Sequence, residues 1–295
     1  MLNQLNTATE SPVWIVDNPY ITKWFRPINL NHFDCILSIF TIHNQTMNIW
    51  THLIGLCISH YCVLFAFPLH LIDSIGQCFF LFLFLMNFSC FSCFFFRTDI
   101  LFMSITYTGI TMSYYCSILY HIFNIGSSYE QSCFLSRLDY FGIIFHLIGC
   151  MLTLVYFVYY HQSFIQFGYV TMFICVGSIC LWMNYHSMFT SIANTNMNSS
   201  KRTMIFILVA TLSLPPQFTI VDNYPWKIVH NVLMTDISYL LAGLIYSLKY
   251  PERLFTGHCD LFNSHTIFHI IIVIAGIGSM RSLSMISYYE INRFN

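Results

Sequence analysis

The sequence predicts an all-α, polytopic membrane protein built as a seven-transmembrane helical bundle. Three observations lead there. Of 295 residues, 57% are apolar and only 8% are charged, against roughly 25% charged in an ordinary soluble domain. Apolar windows of about 20 residues recur along the chain, the length that crosses a bilayer as a helix. None of them alternates apolar and polar residues like a barrel strand, so internally hydrogen-bonded helices are what lipid would tolerate. A net charge of −1 without a basic run excludes a nucleic-acid partner. Eight Pro and twelve Gly are too few for a collagen-like or linker-dominated chain.

Taken in order, residues 1–47 are polar and aromatic, and Pro12, Pro19 and Pro27 interrupt any long helix. This segment is expected to be cytoplasmic, lying along the membrane surface or packing beneath the bundle. The apolar windows follow at 48–70, 77–96, 101–123, 138–160, 164–184, 203–221, 228–248 and 265–287. That is one more than a seven-span chain needs. The Phe-rich window 77–96 is set apart from the next only by Arg97-Thr98-Asp99.

Charge placement arbitrates, because Lys and Arg near span ends favour the cytoplasm. With seven spans and the N-terminus inside, Lys23, Arg26, Arg137, Lys201, Arg202, Lys249 and Arg253 are cytoplasmic. Arg97, Lys227, Arg281 and Arg293 are then outside, a split of seven to four. Counting 77–96 as a span reduces the split to six against five. Seven spans fit better, with a membrane domain over 48–287, a short extracytoplasmic tail over 288–295, and 77–96 as an extra segment at the interface or lengthening its neighbours.

Most of the twelve cysteines fall inside apolar runs, where a small thiol packs well, so neither a disulfide framework nor a cleaved signal is expected. Cys90-x-x-Cys93 has no second ligand pair beside it and reads as packing.

Thirteen histidines are many for such a chain. His32, His60, His70, His161, His186 and His230 fit interfacial or loop positions. His265 and His269 stand four apart at the mouth of the last span, on one helix face. Such a pair is half of a tetrahedral metal site, although two polar residues at a helix mouth is the commoner meaning. His121 ends the window 101–123, and four crossings separate it from the pair. An even number of crossings returns the chain to the same face, so the three imidazoles share a membrane depth. Asp139 opens the next span on that face, where it fits both an N-cap and a carboxylate near a metal. Three imidazoles with a carboxylate match a catalytic zinc centre whose fourth position is left to water. Asp236 lies well inside its span, with Asn231, Ser238 and Tyr239 as its expected neighbours in the bundle interior. A polar cluster at 43–52, His43 to His52, precedes the first span and shares the histidine face only if the spans number seven.

These segments resemble the progestin and adipoQ receptor family, with the haemolysin III-like proteins, from about residue 20 to residue 287. HNQTMNIWTHLIG (43–55) is similar to its first motif, SILYHIF (117–123) to its Ser-x-x-x-His segment, and LDYFGI (138–143) to its Leu-Asp-Tyr-x-Gly-Ile segment. YPERLFTGHCDLFNSHTIFH (250–269) is similar to its Pro-Glu-Arg … Ser-His-x-x-Phe-His ending. The resemblance implies a cytoplasmic N-terminus and a zinc ion near the cytoplasmic leaflet, held by His121, His265 and His269. It implies Asp139 contacting the metal through water and Ser117 in the same site. It also implies either hydrolysis of ceramide-like lipid amides or a role as receptor for a signalling ligand, or in lipid and zinc balance. Gln45 stands where the family usually has Glu, Thr256 where it has Pro, and Cys150 where Ser is common.

The expectation is therefore an integral protein of the plasma membrane or an endomembrane, with Zn2+ as cofactor and the bilayer and a lipid amide such as ceramide as partners. Its alternative is a signalling receptor with a structural zinc and no turnover. A transporter is the third reading; the sequence shows neither a broken helix nor an internal repeat in its favour.

Overall fold

A computed structural model of the chain describes residues 5–16, 18–28, 30–62, 98–126, 128–186 and 199–293. The window 77–96, the Cys90-x-x-Cys93 pair and His70 lie outside the described residues. What is described is helical, with one antiparallel bridge between Asn6 and Phe25. In chain order the helices are α1 (His32–Leu37), α2 (Thr46–Tyr61), α3 (Thr98–Phe123), α4 (Tyr129–Val158) and α5 (Ser163–Tyr185). They are followed by α6 (Ser199–Thr211), α7 (Leu214–Asn223), α8 (Trp226–Leu248) and α9 (Ser264–Ile291).

Among the described residues, α4, α5, α8 and α9 are long and apolar enough to cross a membrane, and the pair α6–α7 makes a fifth if it is one span. The Ser-, Thr- and Tyr-rich α3 and the 16-residue α2 fall outside that set. The protein is a multi-pass membrane protein. Large apolar side chains such as Phe164, Phe167, Leu208 and Phe218 point outward from α5, α6 and α7, as a lipid-facing surface requires.

Two spans differ from their predicted form. The window 203–221 is two helices bent by 47° rather than one rod. Pro215 and Pro216 sit in the first turn of α7, where their missing N–H groups cost nothing, but they cannot continue α6. The broken helix missing from the sequence reading is therefore present. The second difference is α4, which starts nine residues before its apolar window. Ser128 caps it by accepting from the Gln131 N–H at 3.3 Å. Asp139 thus lies nearly three turns inside α4 and caps nothing, a correction to its placement at the span's opening. At the other end, α9 runs on through 288–291, the start of the expected tail, because Glu290 is buried there between His161 and Arg293.

Close backbone approach joins α3 to α4. A Cβ on Gly142 would stand 2.8 Å from Ser113 Cα, and one on Gly109 would stand 2.8 Å from the Phe145 carbonyl oxygen. Small residues at such crossings let helices pack where no hydrophobic effect drives them together. One apolar core, including Val155, Phe157, Phe173 and Ile286, joins α4, α5 and α9; another, with Ile49, Ile110, Tyr114 and Val273, joins α2, α3 and α9.

The N-terminal segment packs beneath the helices rather than lying free of them. Ile15, Ile21 and Phe25 are buried against Ile125. Arg26, 1% exposed, reaches the end of α3 and donates to the carbonyls of His121 (2.6 Å) and Ile122 (3.1 Å) and to the Ser38 hydroxyl (2.6 Å). Burial pulls its guanidinium down to about 10, so it stays charged at neutral pH and complements the negative end of the α3 dipole. Two buried carboxylates tie the segment to α9. Asp260 accepts from the Thr22 and Lys23 N–H groups, and Glu252 from Asn18 Nδ2 (2.9 Å), the Ser264 N–H (2.7 Å) and the Ser264 hydroxyl.

Candidate metal centre

Three imidazoles meet where the last turn of α3 faces the first two turns of α9. The parity of the spans required His121, His265 and His269 to share a depth; the packing of α3 against α9 adds that they touch. Their ligand atoms all lie within 4.8 Å of one another, so small side-chain rotations suffice to bring them to a shared ion at zinc–nitrogen bonds of about 2.0–2.1 Å. The ring centroids stand 5.0, 5.0 and 4.7 Å apart. Asn263 starts α9 by accepting from the N–H groups of His265 (3.0 Å) and Thr266 (3.2 Å), which aims the pair.

The outer partners of the rings determine which nitrogens face inward. Gln45 Oε1 accepts from Asn48 Nδ2 (2.8 Å) and from His121 Nδ1 (2.8 Å). His269 Nδ1 donates to the Asn48 carbonyl at 3.2 Å. With the protons on Nδ1, both rings turn Nε2 lone pairs toward the centre. His121 Nε2 is buried and has no hydrogen-bond partner among the described residues. An unmatched buried acceptor is costly unless something pairs with it. Three neutral imidazole nitrogens, one of them orphaned, suit a borderline-soft cation such as zinc, so the residues fit the expected metal.

Gln45 thus occupies its Glu-like position as a hydrogen-bond acceptor for a histidine. The signal for this was legible: Gln45, the residue that precedes α2, falls at helical spacing with Asn48 and His52 within it. His52 itself, buried at 3% exposure, was not singled out beyond its cluster. Its ring packs on His269 at 3.9 Å and on Tyr114 at 4.9 Å, and neither nitrogen has a hydrogen-bond partner among the described residues.

A cavity of about 410 Å³ opens from the histidines into the helices, within the range of small-molecule sites. Asp139 and Ser117 line it together with His265 and His269. Ser117 and the Asp139 carboxyl face each other across this lining, one on α3 and the other on α4. The helix rise of α4 also carries His146 into the same cavity, seven residues and about 10 Å beyond Asp139. His146 escaped the sequence reading although a mid-span histidine is a signal in itself. Asp236 lines this cavity, but two of its expected neighbours do not join it: Asn231 and Ser238 donate to their own helix, at the Lys227 and Met234 carbonyls.

A helical, multi-pass membrane chain with a three-histidine cluster, two of its rings buried and the third half-buried, at one end of a cavity defines the class of protein. The family profile described as Haemolysin-III related matches residues 40–280, and the chain belongs to that family. It is 27% identical to progestin and adipoQ receptor-like protein 1 of Caenorhabditis elegans, over 95% of this chain and 60% of that protein. It is also 27% identical to progestin and adipoQ receptor family member 3 of Mus musculus, over 92% of this chain and 82% of that one. With the adiponectin receptor protein of Drosophila melanogaster it shares 24%, over 95% of this chain and 59% of the relative. The chain spans about 60% of the length of the worm relative.

Proposed function

We propose that this chain is a zinc-dependent intramembrane amidohydrolase acting on lipid amides of the ceramide class, with His121, His265 and His269 as the metal ligands. The observation that carries the proposal is the buried His121 Nε2, without a hydrogen-bond partner among the described residues, facing two further imidazoles that line a cavity of about 410 Å³. Zinc held there supplies Lewis acidity, polarising a carbonyl and lowering the pKa of a water toward 7. The chain's own groups do the rest. Asp139 takes the proton of the attacking water and returns it to the leaving amine. Ser117, beside Asp139 in the lining, donates its one hydroxyl proton toward the developing oxyanion. The apolar wall of the cavity, with Leu147, Met151, Phe206 and Leu283, takes the acyl chain and excludes bulk water.

The same reading puts the N-terminus in the cytoplasm and the chain through the bilayer seven times. In that arrangement α2 leaves the face to which α3 returns. The bond between Gln45, just ahead of α2, and His121, in the last turn of α3, supports it.

A second reading is favoured by the relatives' names, which speak of receptors: a signalling receptor in which zinc is structural and nothing turns over. One experiment separates them. Purified protein is assayed for bound zinc and for hydrolysis of a panel of N-acyl lipids, beside the variants His265→Ala and Asp139→Asn. The hydrolase reading expects His265→Ala to lose metal and activity together, and Asp139→Asn to keep the metal while losing at least a hundredfold in rate. Undetectable hydrolysis by zinc-loaded wild type would leave the receptor reading.

A further inference from the structure

Halfway along the cavity a second polar group interrupts the apolar wall. His146 on α4 bonds through Nε2 to the Tyr239 hydroxyl on α8 (2.9 Å), and that hydroxyl bonds to Ser279 on α9 (3.0 Å). His146 Nδ1 lies 3.3 Å from the Ser113 hydroxyl on α3. These four side chains satisfy one another and clamp four helices. Asp236 is different. It stands one turn before Tyr239 on the same face of α8 and lines the cavity, and its Oδ2 is buried without a hydrogen-bond partner among the described residues. A carboxyl at membrane depth is costly unless paired, so an unmatched oxygen turned to a cavity marks a place for a ligand.

Depth follows from the helix rise. Ser279 is ten residues past His269 on α9, and Asp236 ten residues before Tyr246, whose ring stands 5.2 Å from that of His265. Both separations put the cluster about 15 Å from the histidines, near the middle of a hydrocarbon layer of about 30 Å. A plain acyl chain would offer Asp236 nothing there. A chain carrying a hydroxyl at that depth would satisfy it, whichever protonation state the carboxyl holds, since a hydroxyl both donates and accepts.

We infer that Asp236, backed by Tyr239, is a second polar subsite that selects lipids bearing a hydroxyl about 15 Å along the chain from the carbonyl. This rests on the reading above only in placing the carbonyl at the histidines. The test is displacement of a fluorescent fatty acid from the purified, zinc-loaded full chain in detergent. The competitors are hydroxy-octadecanoic acids that differ solely in hydroxyl position, with octadecanoic acid as reference. One mid-chain position should bind roughly tenfold tighter than the reference, the effect of one well-placed hydrogen bond. Asp236→Leu should erase that advantage while octadecanoic acid binds as before, and Asp236→Asn should retain most of it. A flat profile across positions, or a preference undiminished in Asp236→Leu, overturns the inference. If Asp236→Leu does not accumulate, the wild-type profile and a preference retained by Asp236→Asn decide. A positional preference in a protein without hydrolysis would uphold this subsite and sink the hydrolase; hydrolysis with a flat profile would do the reverse.

Discussion

At the scale of residues, the three-histidine centre depends on groups outside it. Gln45 is the acceptor that keeps the His121 proton on Nδ1. Removing such an outer partner lowers metal affinity about 10–100-fold, so Gln45→Ala should show that loss when zinc is titrated against a chelator. Gln45→Glu, by raising the basicity of the ring, should bind zinc more tightly than wild type. Equal affinities in all three would show that the ring is held by packing alone. Just ahead of it, His43 is fully buried, donates through Nε2 to the Ser38 carbonyl and accepts the Gln45 N–H through Nδ1. Burial first, and the nearby Arg26 charge second, pull this imidazole down to about 3. Unfolded it would titrate near about 6.5, so between those values the unfolded chain holds a proton that the folded chain does not. Stability from this group is therefore complete above pH of about 6.5 and is lost as pH falls toward about 3. Within that window the slope approaches about 1.4 kcal/mol per pH unit. Thermal unfolding in detergent should show His43→Asn with a shallower acid decline; an unchanged acid limb would remove His43 from the account.

At the scale of elements, the contact between α3 and α4 sets how far His121 stands from Asp139. Gly142 lies in that contact, and a side chain there would meet the Ser113 backbone. Gly142→Leu should cost about 1–3 kcal/mol through overpacking and reduce zinc retention, as read by unfolding in detergent and by metal content. Wild-type metal content at wild-type stability would mean that the helices move apart without consequence. The anchors of α9 were legible as a motif but not as a device. Only the fold shows Glu252 and Asp260 of the Pro-Glu-Arg … Asp segment reaching back to Asn18, Thr22 and Lys23, some 230 residues earlier in the chain. Similarly, apolar windows locate spans but not caps, so the Ser128 start of α4 and the Pro215–Pro216 break lay beyond what hydropathy registers.

For the whole molecule, the proposed seven crossings with a cytoplasmic N-terminus make an accessibility prediction. With the native cysteines replaced by serine or alanine, single cysteines introduced at the N-terminus and at residue 258 should be labelled from the cytoplasmic side by an impermeant reagent, and one near residue 288 from the opposite side. N-terminal and C-terminal labels appearing on one side would mean an even number of spans. What the sequence determined unaided is the solvent and the class: composition and window length settle that the chain lives in lipid as helices, because those quantities need no knowledge of what packs on what. Parity of crossings even put His121, His265 and His269 at one depth. Lateral position is another matter. Which helices adjoin, whether Asp139 caps a helix or lines a cavity, that Gln45 serves His121, and that an Asp236 oxygen has no partner among the described residues were decided by tertiary packing. A one-dimensional pattern records depth along each helix, and the direction a side chain faces among several neighbours exists only once the bundle has closed.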